Sequence, residues 1–203
     1  MIELPRTIRP AEEYEIPKGS PAFERLKLMR TANIVEGYKI VDDSTRTQEQ
    51  KNIPFKFYAE ININNSKLWS VLLNLSNELP DVVSLIFGHE DCDVEFSEYQ
   101  SKELILQSIS HFEIELTQDS FIQWGLIYSD EENLVEFFVD ESKYIKFWGV
   151  DLNSFKAIMN KNNLKEIVDI EFIDEYPKVR EPLTIFKKEC LSSENLINEL
   201  RKI

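Results

Sequence analysis

From Ile53 onward the apolar positions of the chain fall into periods that announce their secondary structure. "FKFYAEINI" (55–63) alternates strictly, with Phe55, Phe57, Ala59, Ile61 and Ile63 on one side, the period-two pattern of a half-buried strand. The period then changes. Leu68, Leu72, Leu75 and Leu79 recur at helical spacing and predict one apolar stripe, with Asn65 or Ser66 as its cap and Pro80 as its stop. "VVSLIF" (82–87) is a continuous apolar run and predicts a strand buried on both faces. "DVEFSEY" (93–99) alternates again, with Val94 and Phe96 inward. "SEYQ" (97–100) fits a capping box that opens a helix carrying Leu104, Ile105 and Ile109, and "FEIEL" (112–116) returns to period two.

The order so far is βαββαβ, that of the split βαβ arrangement, which many unrelated functions share. Three further strands follow, "FIQWGLIY" (121–128), "LVEFFV" (134–139) and "KYIKFWGV" (143–150). The short polar turns between them, "SDEEN" and "DES", predict an antiparallel meander. Asp151 caps a helix with Leu152, Phe155, Ile158 and Met159 on one side, and "NN" (162–163) suits a left-handed stop. "EIVDIEFI" (166–173) reads as a strand with Val168, Ile170 and Phe172 on one face, ended by "DEYP" (174–177). A last helix, capped by Ser192 or Ser193, presents Leu196, Ile197 and Leu200. The expected fold is α+β: a mixed, mostly antiparallel sheet with helices on one face, the βαββαβ part followed by a β-meander, a helix and a strand.

The N-terminal quarter is patterned differently. Prolines at 5, 10, 17 and 21 forbid a helix or central strand there, so residues 1–22 read as an extended arm. "FERLKLMR" (23–30) forms a short helix, and "DDSTRTQEQKN" (42–52) reads as a polar loop or mobile linker. The expected organisation is an arm, helix and linker over 1–53, a core over 54–176 and an extension with a final helix over 177–203.

Charge sharpens that division. Residues 1–53 are balanced, residues 177–203 are slightly basic, and residues 54–176 carry 8 Lys, no Arg and 24 Asp+Glu, a net of -16. Such a surface repels nucleic acid backbones and anionic lipid and attracts a basic partner. No apolar run approaches the roughly 20 residues needed to span a bilayer, and the first residues lack the apolar core of a secretory signal. With two distant cysteines, Cys92 and Cys190, a cytoplasmic location is expected.

Candidate chemistry concentrates in "FGHEDCDVEF" (87–96), where His89, Glu90, Asp91, Cys92 and Asp93 are consecutive. His89 and Cys92 have an H-x2-C spacing, but a structural zinc site needs about four such ligands, and the remaining His and Cys are the solitary His111 and Cys190. The carboxylates lack the register of a calcium loop. The stretch therefore reads as a hairpin loop in which Gly88 turns the chain and the acids face solvent. Cys92 and His111 read as structural or loop residues, for nothing local marks a nucleophile or its base. Phosphate-cradling glycine motifs are absent. The pairs Glu113/Glu115 and Asp169/Glu171 would form acidic stripes on strands, and Asp174/Glu175 is a third pair of neighbours. A two-carboxylate hydrolase needs such pairs about 5 to 9 Å apart, but the solvated face of a sheet explains the stripes fully. No catalytic residue, metal or cofactor is assigned.

The expected function is a non-enzymatic acidic protein-binding module, most concretely a bacterial immunity-type inhibitor covering a basic toxin. Successive turns of a meander lie at opposite ends of the sheet, so only one of the acidic turns at 130–132 and 140–141 can join the loop at 89–93. The patch is placed at Glu90, Asp91, Asp93, Asp130, Glu131 and Glu132. The alternatives are a carboxylate-dependent hydrolase or small-ligand domain, and a structural subunit whose proline-rich arm docks on a neighbour.

Overall fold

The structure is a computed structural model that describes residues 2–41 and 53–203. The linker expected at 42–52 lies outside the described residues. In chain order the elements are β1 (Ile8–Pro10), α1 (Pro21–Met29), β2 (Gly37–Val41), β3 (Phe57–Asn62), α2 (Leu68–Leu75), β4 (Val82–His89), β5 (Glu95–Phe96), β6 (Gln100–Ser101), α3 (Lys102–Ile109) and α4 (Glu113–Gln118). They continue with β7 (Ile122–Ser129), β8 (Leu134–Val139), β9 (Ile145–Gly149), α5 (Leu152–Lys161), β10 (Lys178–Arg180), α6 (Leu183–Phe186) and α7 (Ser193–Leu200).

The architecture is α+β. One sheet runs β2-β3-β9-β8-β7-β4-β5, with every neighbouring pair antiparallel and β6 pairing with the first residues of β4. The strands from β7 to β9 form the expected meander. Alternation decides which side chains enter the core. Phe57, Ala59 and Ile61 of β3, Ile145 and Phe147 of β9, Val135, Phe137 and Val139 of β8, and Trp124 and Leu126 of β7 all point to one face and are buried. Helices cover that face with Leu68, Leu72 and Leu75 of α2, Ile105 and Ile109 of α3, Phe155 and Met159 of α5, and Leu196 and Leu200 of α7. Phe155 packs against Tyr38, Phe57 and Phe147 with ring centroids 5.1 to 5.4 Å apart, which ties α5 to three adjacent strands. Asp151 caps α5 by accepting from the N–H groups of Asn153 and Ser154 at 2.9 and 3.1 Å, and Asn163 supplies the left-handed stop with φ 58°.

Two segments depart from their expected form. "FEIEL" is helical: α4 occupies 113–118, and β7 takes the last place in the βαββαβ order. Phe112 and Leu116 are four residues apart, so the same alternation also fits one helical face. "EIVDIEFI" forms no strand. Ile170 and Phe172 pack on Tyr144, but Val168 is 90% exposed, and only Glu166 makes a ladder contact, a parallel bridge to Tyr38. Three local signals also resolve differently. Asn65 and Ser66 do not cap α2: the Asn65 amide donates to the Thr117 carbonyl at 2.7 Å and the Ser66 hydroxyl to Glu3. Ser97 opens no capping box; its hydroxyl accepts from the Leu85 N–H at 3.0 Å and bonds the edge of β4. Phe96 points outward at 59% exposure.

The N-terminal arm packs on its own chain. β1 pairs antiparallel with β10, the Glu3 carbonyl accepts from the Asn65 N–H at 2.9 Å, and the Thr7 hydroxyl donates to the Gln118 carbonyl. Ile8, Met29, Ile34, Ile173 and Tyr176 close a second, smaller core behind this pair.

Candidate functional site

The loop that holds His89 to Asp93 sits at the end of β4 where His89 faces Ile122 of β7. Its side chains do not converge. The His89 ring stacks on Phe121, with centroids 5.9 Å apart and planes at 11°. Glu90 is turned inward to pair with Arg180 of β10, and its side chain is only 12% exposed. Asp91, Cys92 and Asp93 face solvent. Among the described residues no group of three or more His, Cys, Asp or Glu is placed to hold a metal ion. The cavity beside this loop, about 350 Å³, is lined by His89, Asp119, Phe121, Leu183 and Ser193 among others. Asp119 is already engaged there, accepting from the Phe121 N–H at 2.9 Å and the Ser193 hydroxyl at 2.7 Å.

The acidic turn at 130–132 lies at the opposite end of the sheet from this loop. β7 and β8 pair from Trp124↔Val139 to Ser129↔Leu134, so that turn follows the far end of β7, while the turn at 140–141 lies at the loop's own end. The six residues expected to make one patch are therefore separated into two groups by the length of the sheet. Asp130 also builds its own turn, accepting from the Tyr128 hydroxyl at 2.8 Å and from the N–H groups of Glu132 and Asn133 at 2.8 and 2.7 Å. Those donors, Tyr128 first, hold its carboxyl below the usual range. Glu131 and Glu132 are exposed.

The expected acidic stripes do not form, because neither segment is a strand. Glu115 is buried and accepts from the Leu191 N–H at 3.1 Å. Glu171 accepts from the Asn33 N–H at 2.7 Å and from the Tyr176 hydroxyl, so it fastens the chain near α1 to the strap at 170–176. These carboxylates bind the protein's own backbone.

A different group of residues comes together on the outer face of the sheet, the face turned away from α2, α3, α5 and α7. Cross-strand register sets Val41, Tyr58, Trp148, Glu136 and Ile127 in one row across β2, β3, β9, β8 and β7. The adjacent row on the same face reads Lys39, Glu60, Lys146, Phe138, Gly125, Ile86. Directly opposed residues hold their Cβ atoms about 5 Å apart, so Glu136 stands beside Trp148 with Ile127 on its other side. The Tyr58 and Trp148 rings pack tilted, with centroids 4.8 Å apart and planes at 31°.

Glu136 is the unusual member. It is half-buried, and among the described residues no hydrogen bond or ion pair reaches its carboxyl. Burial alone pushes that carboxyl up to about 7. Two described lysines of this face are committed elsewhere. Lys146 bonds Asp140 at 2.6 Å and Lys39 bonds Glu60 at 2.9 Å. Asp140 is buried and also accepts from the Ser142 N–H at 3.1 Å. Burial disfavours its charge, but the bonds from Glu141 and Lys146 outweigh that and hold it low, whereas burial and then Asp140 push Glu141 up to about 7. Asp140 is thus the end-piece of the β8–β9 turn, held by Lys146 and the backbone of the turn.

Sequence reasoning passed over Glu136 because an acid between Val135 and Phe137 is the ordinary outward residue of a half-buried strand. One signal was present: "EFF" sets two aromatics side by side, so Phe137 and Phe138 must take opposite faces and make the outer face partly apolar.

No protein-family model matches the chain, and no curated protein or solved structure matches it. Among the described residues no helix is long and apolar enough to cross a membrane.

Proposed function

We propose that the protein is a non-enzymatic acidic binding module for a basic protein partner, acting as an immunity-type inhibitor that covers a cationic toxin. The observation that carries this reading is Glu136, a half-buried carboxylate with no hydrogen bond or ion pair among the described residues, beside Trp148 and Ile127 in a region of net charge -16. A carboxylate left without a cation or donor in such a place carries a desolvation cost that an incoming positive group relieves. The surrounding acidity speeds the approach of a basic protein, and apolar neighbours supply contact area. The exposed acids at Asp91, Asp93, Glu131 and Glu132 contribute to steering from the two ends of the sheet.

The test is co-expression with the cationic products of genes adjacent to its own. A stoichiometric complex that weakens as salt rises supports the reading. Failure of every such protein to bind at low salt removes it.

A further inference from the structure

We infer that the cavity between the N-terminal arm, α2, α4 and α6 is a binding site for a free aromatic amino acid in its zwitterionic form. The inference goes beyond the binding-module reading and does not depend on it.

The cavity measures about 460 Å³, within the roughly 300–1,000 Å³ of small-ligand sites. Its apolar wall comes from three helices: Trp69 of α2, Ile114 of α4, and Leu183 and Phe186 of α6. Leu183 is buried, whereas Ile114 and Phe186 are 41% and 42% exposed, so the hollow is open to solvent and still lined with apolar surface. Trp69 is backed by the core, its ring centroid 5.7 Å from that of Trp124. A ligand ring entering here buries area against Trp69 and Phe186 and gains the contacts that aromatic pairs favour.

The neutral polar groups of the wall are engaged within the protein. The Asn65 amide donates to the Thr117 carbonyl at 2.7 Å, the Gln118 amide donates to the Asn65 side-chain oxygen, and the Gln118 oxygen accepts from the Arg6 N–H at 3.0 Å. Recognition of a polar head group therefore falls to four charged side chains, Arg6, Glu113, Lys187 and Glu189. Lys187 and Glu189 stand 3.9 Å apart and offset one another. Among the described residues the Arg6 guanidinium and the Glu113 carboxylate have no ion pair or hydrogen bond, with each other or with any other group. The fold keeps them apart: Glu113 opens α4, and the arm is tied to Gln118 at its other end, about 7.5 Å further along the helix axis.

Those two charges define the ligand. A lone anion meets repulsion from Glu113, and a lone cation meets it from Arg6. A zwitterion presents the right sign to each. The carboxylate and ammonium of an α-amino acid sit about 3 Å apart and each adds a charge-assisted bond of about 2.8 Å, so the head group bridges opposite charges about 8 Å from one another. Residues 54–176 hold no Arg, and both cations of the rim are brought in from outside them, Arg6 by the arm and Lys187 by the C-terminal extension. The four charges of the rim thus balance within a chain of net charge -14, which suits a ligand of no net charge.

The experiment uses the full chain and four probes read by calorimetry: L-phenylalanine, L-phenylalaninamide, 3-phenylpropionate and L-alanine. The amide lacks the carboxylate, the propionate lacks the ammonium, and alanine lacks the ring. The expected result is saturable one-to-one binding of phenylalanine, with each of the other three at least about tenfold weaker, the size expected when one charged hydrogen bond is lost. Arg6→Gln is expected to weaken phenylalanine about tenfold and to remove its advantage over the amide. Glu113→Gln is expected to weaken it by a similar factor and to remove its advantage over 3-phenylpropionate. Thermal melts of each variant confirm that it is folded.

No saturable binding of phenylalanine at millimolar concentration overturns the inference. So does binding of any of the other three probes as tight as that of phenylalanine, which would assign the cavity to an anion, a cation or a ligand without a ring. Phenylalanine binding that neither substitution changes places the ligand elsewhere and overturns it too. A cationic protein partner that binds in the absence of phenylalanine leaves each of these outcomes as decisive as before.

Discussion

The Lys143 ammonium donates to the Ile122 carbonyl at 2.7 Å, bridging the β8–β9 turn to the start of β7 inside the protein. Lys143 is only 3% exposed and adopts φ 63°, a backbone region that side chains other than glycine rarely occupy. Burial pulls its pKa down to about 8, opposed by the nearby charges of Asp119, Asp140 and Glu141. Lys143→Met keeps the apolar stem and deletes the charge, leaving the Ile122 carbonyl buried without its donor. The expected loss is about 1–3 kcal/mol at pH 7, read as a lower urea midpoint with unchanged slope. An unchanged midpoint would show that the bridge contributes nothing.

Glu136 makes a prediction about pH. Its ordinary value is 4.5 and its folded value is about 7. Between those values the folded chain keeps a proton that the unfolded chain has released, so raising pH favours unfolding. The penalty is absent below about pH 4.5, grows through the window and is complete above about pH 7. Glu136→Gln does not titrate. Relative to its own value at pH 4, the variant is expected to gain about 1–3 kcal/mol over wild type by pH 8, after allowance for partial solvation. Urea titrations at four pH values across the window give the difference curve; a flat curve contradicts the burial of this carboxyl.

The acids of the 89–93 loop separate by role. Glu90 pairs with Arg180, whereas Asp91 and Asp93 are exposed. Glu90→Gln leaves a half-buried guanidinium without its anion and is expected to cost about 1–3 kcal/mol. The double variant Asp91→Asn/Asp93→Asn is expected to stay within about 0.5 kcal/mol of wild type in stability and to slow association with a cationic partner. Equal destabilisation by both variants in chemical melts would refute this division of labour.

Gly125 lies on the outer face between Phe138 and Ile86, and a Cβ there would meet the Phe137 carbonyl oxygen at 2.1 Å and the Phe138 Cα at 3.0 Å. Both obstacles are backbone of the adjacent strand. Gly125→Ala must push β7 from β8 and is expected to cost about 3 kcal/mol or more. A thermal midpoint within a few degrees of wild type would show that the strands part freely there.

What could be read in the chain tracks how local the cause of each element is. Phe57, Ala59 and Ile61, or Val135, Phe137 and Val139, declare their strand because one face meets helices and the other does not. The Asp151 cap and the Asn163 stop are equally local, and both appear as expected. "FEIEL" misleads because three apolar residues two apart also place Phe112 and Leu116 on one helical face. "EIVDIEFI" misleads because Ile170 and Phe172 are buried by Tyr144, a residue of another segment, with no ladder involved. The outer-face site was illegible for the strongest form of this reason. Tyr58, Trp148 and Glu136 come from three strands, and only their register makes one half-buried acid different from the other acids in the chain.

The pairing of β1 with β10 also sets a schedule. Ile8 meets Arg180 and Pro10 meets Lys178, partners far apart in the sequence. Contacts of such long sequence separation form late and slow folding. During synthesis the arm has to wait until Lys178 to Arg180 have left the ribosome, with Ile8, Met29 and Ile34 lacking Ile173 and Tyr176 in the meantime. A nascent chain stopped before Ile173 would keep Ile8, Met29 and Ile34 uncovered, so closure of this second core reports that synthesis has passed Tyr176.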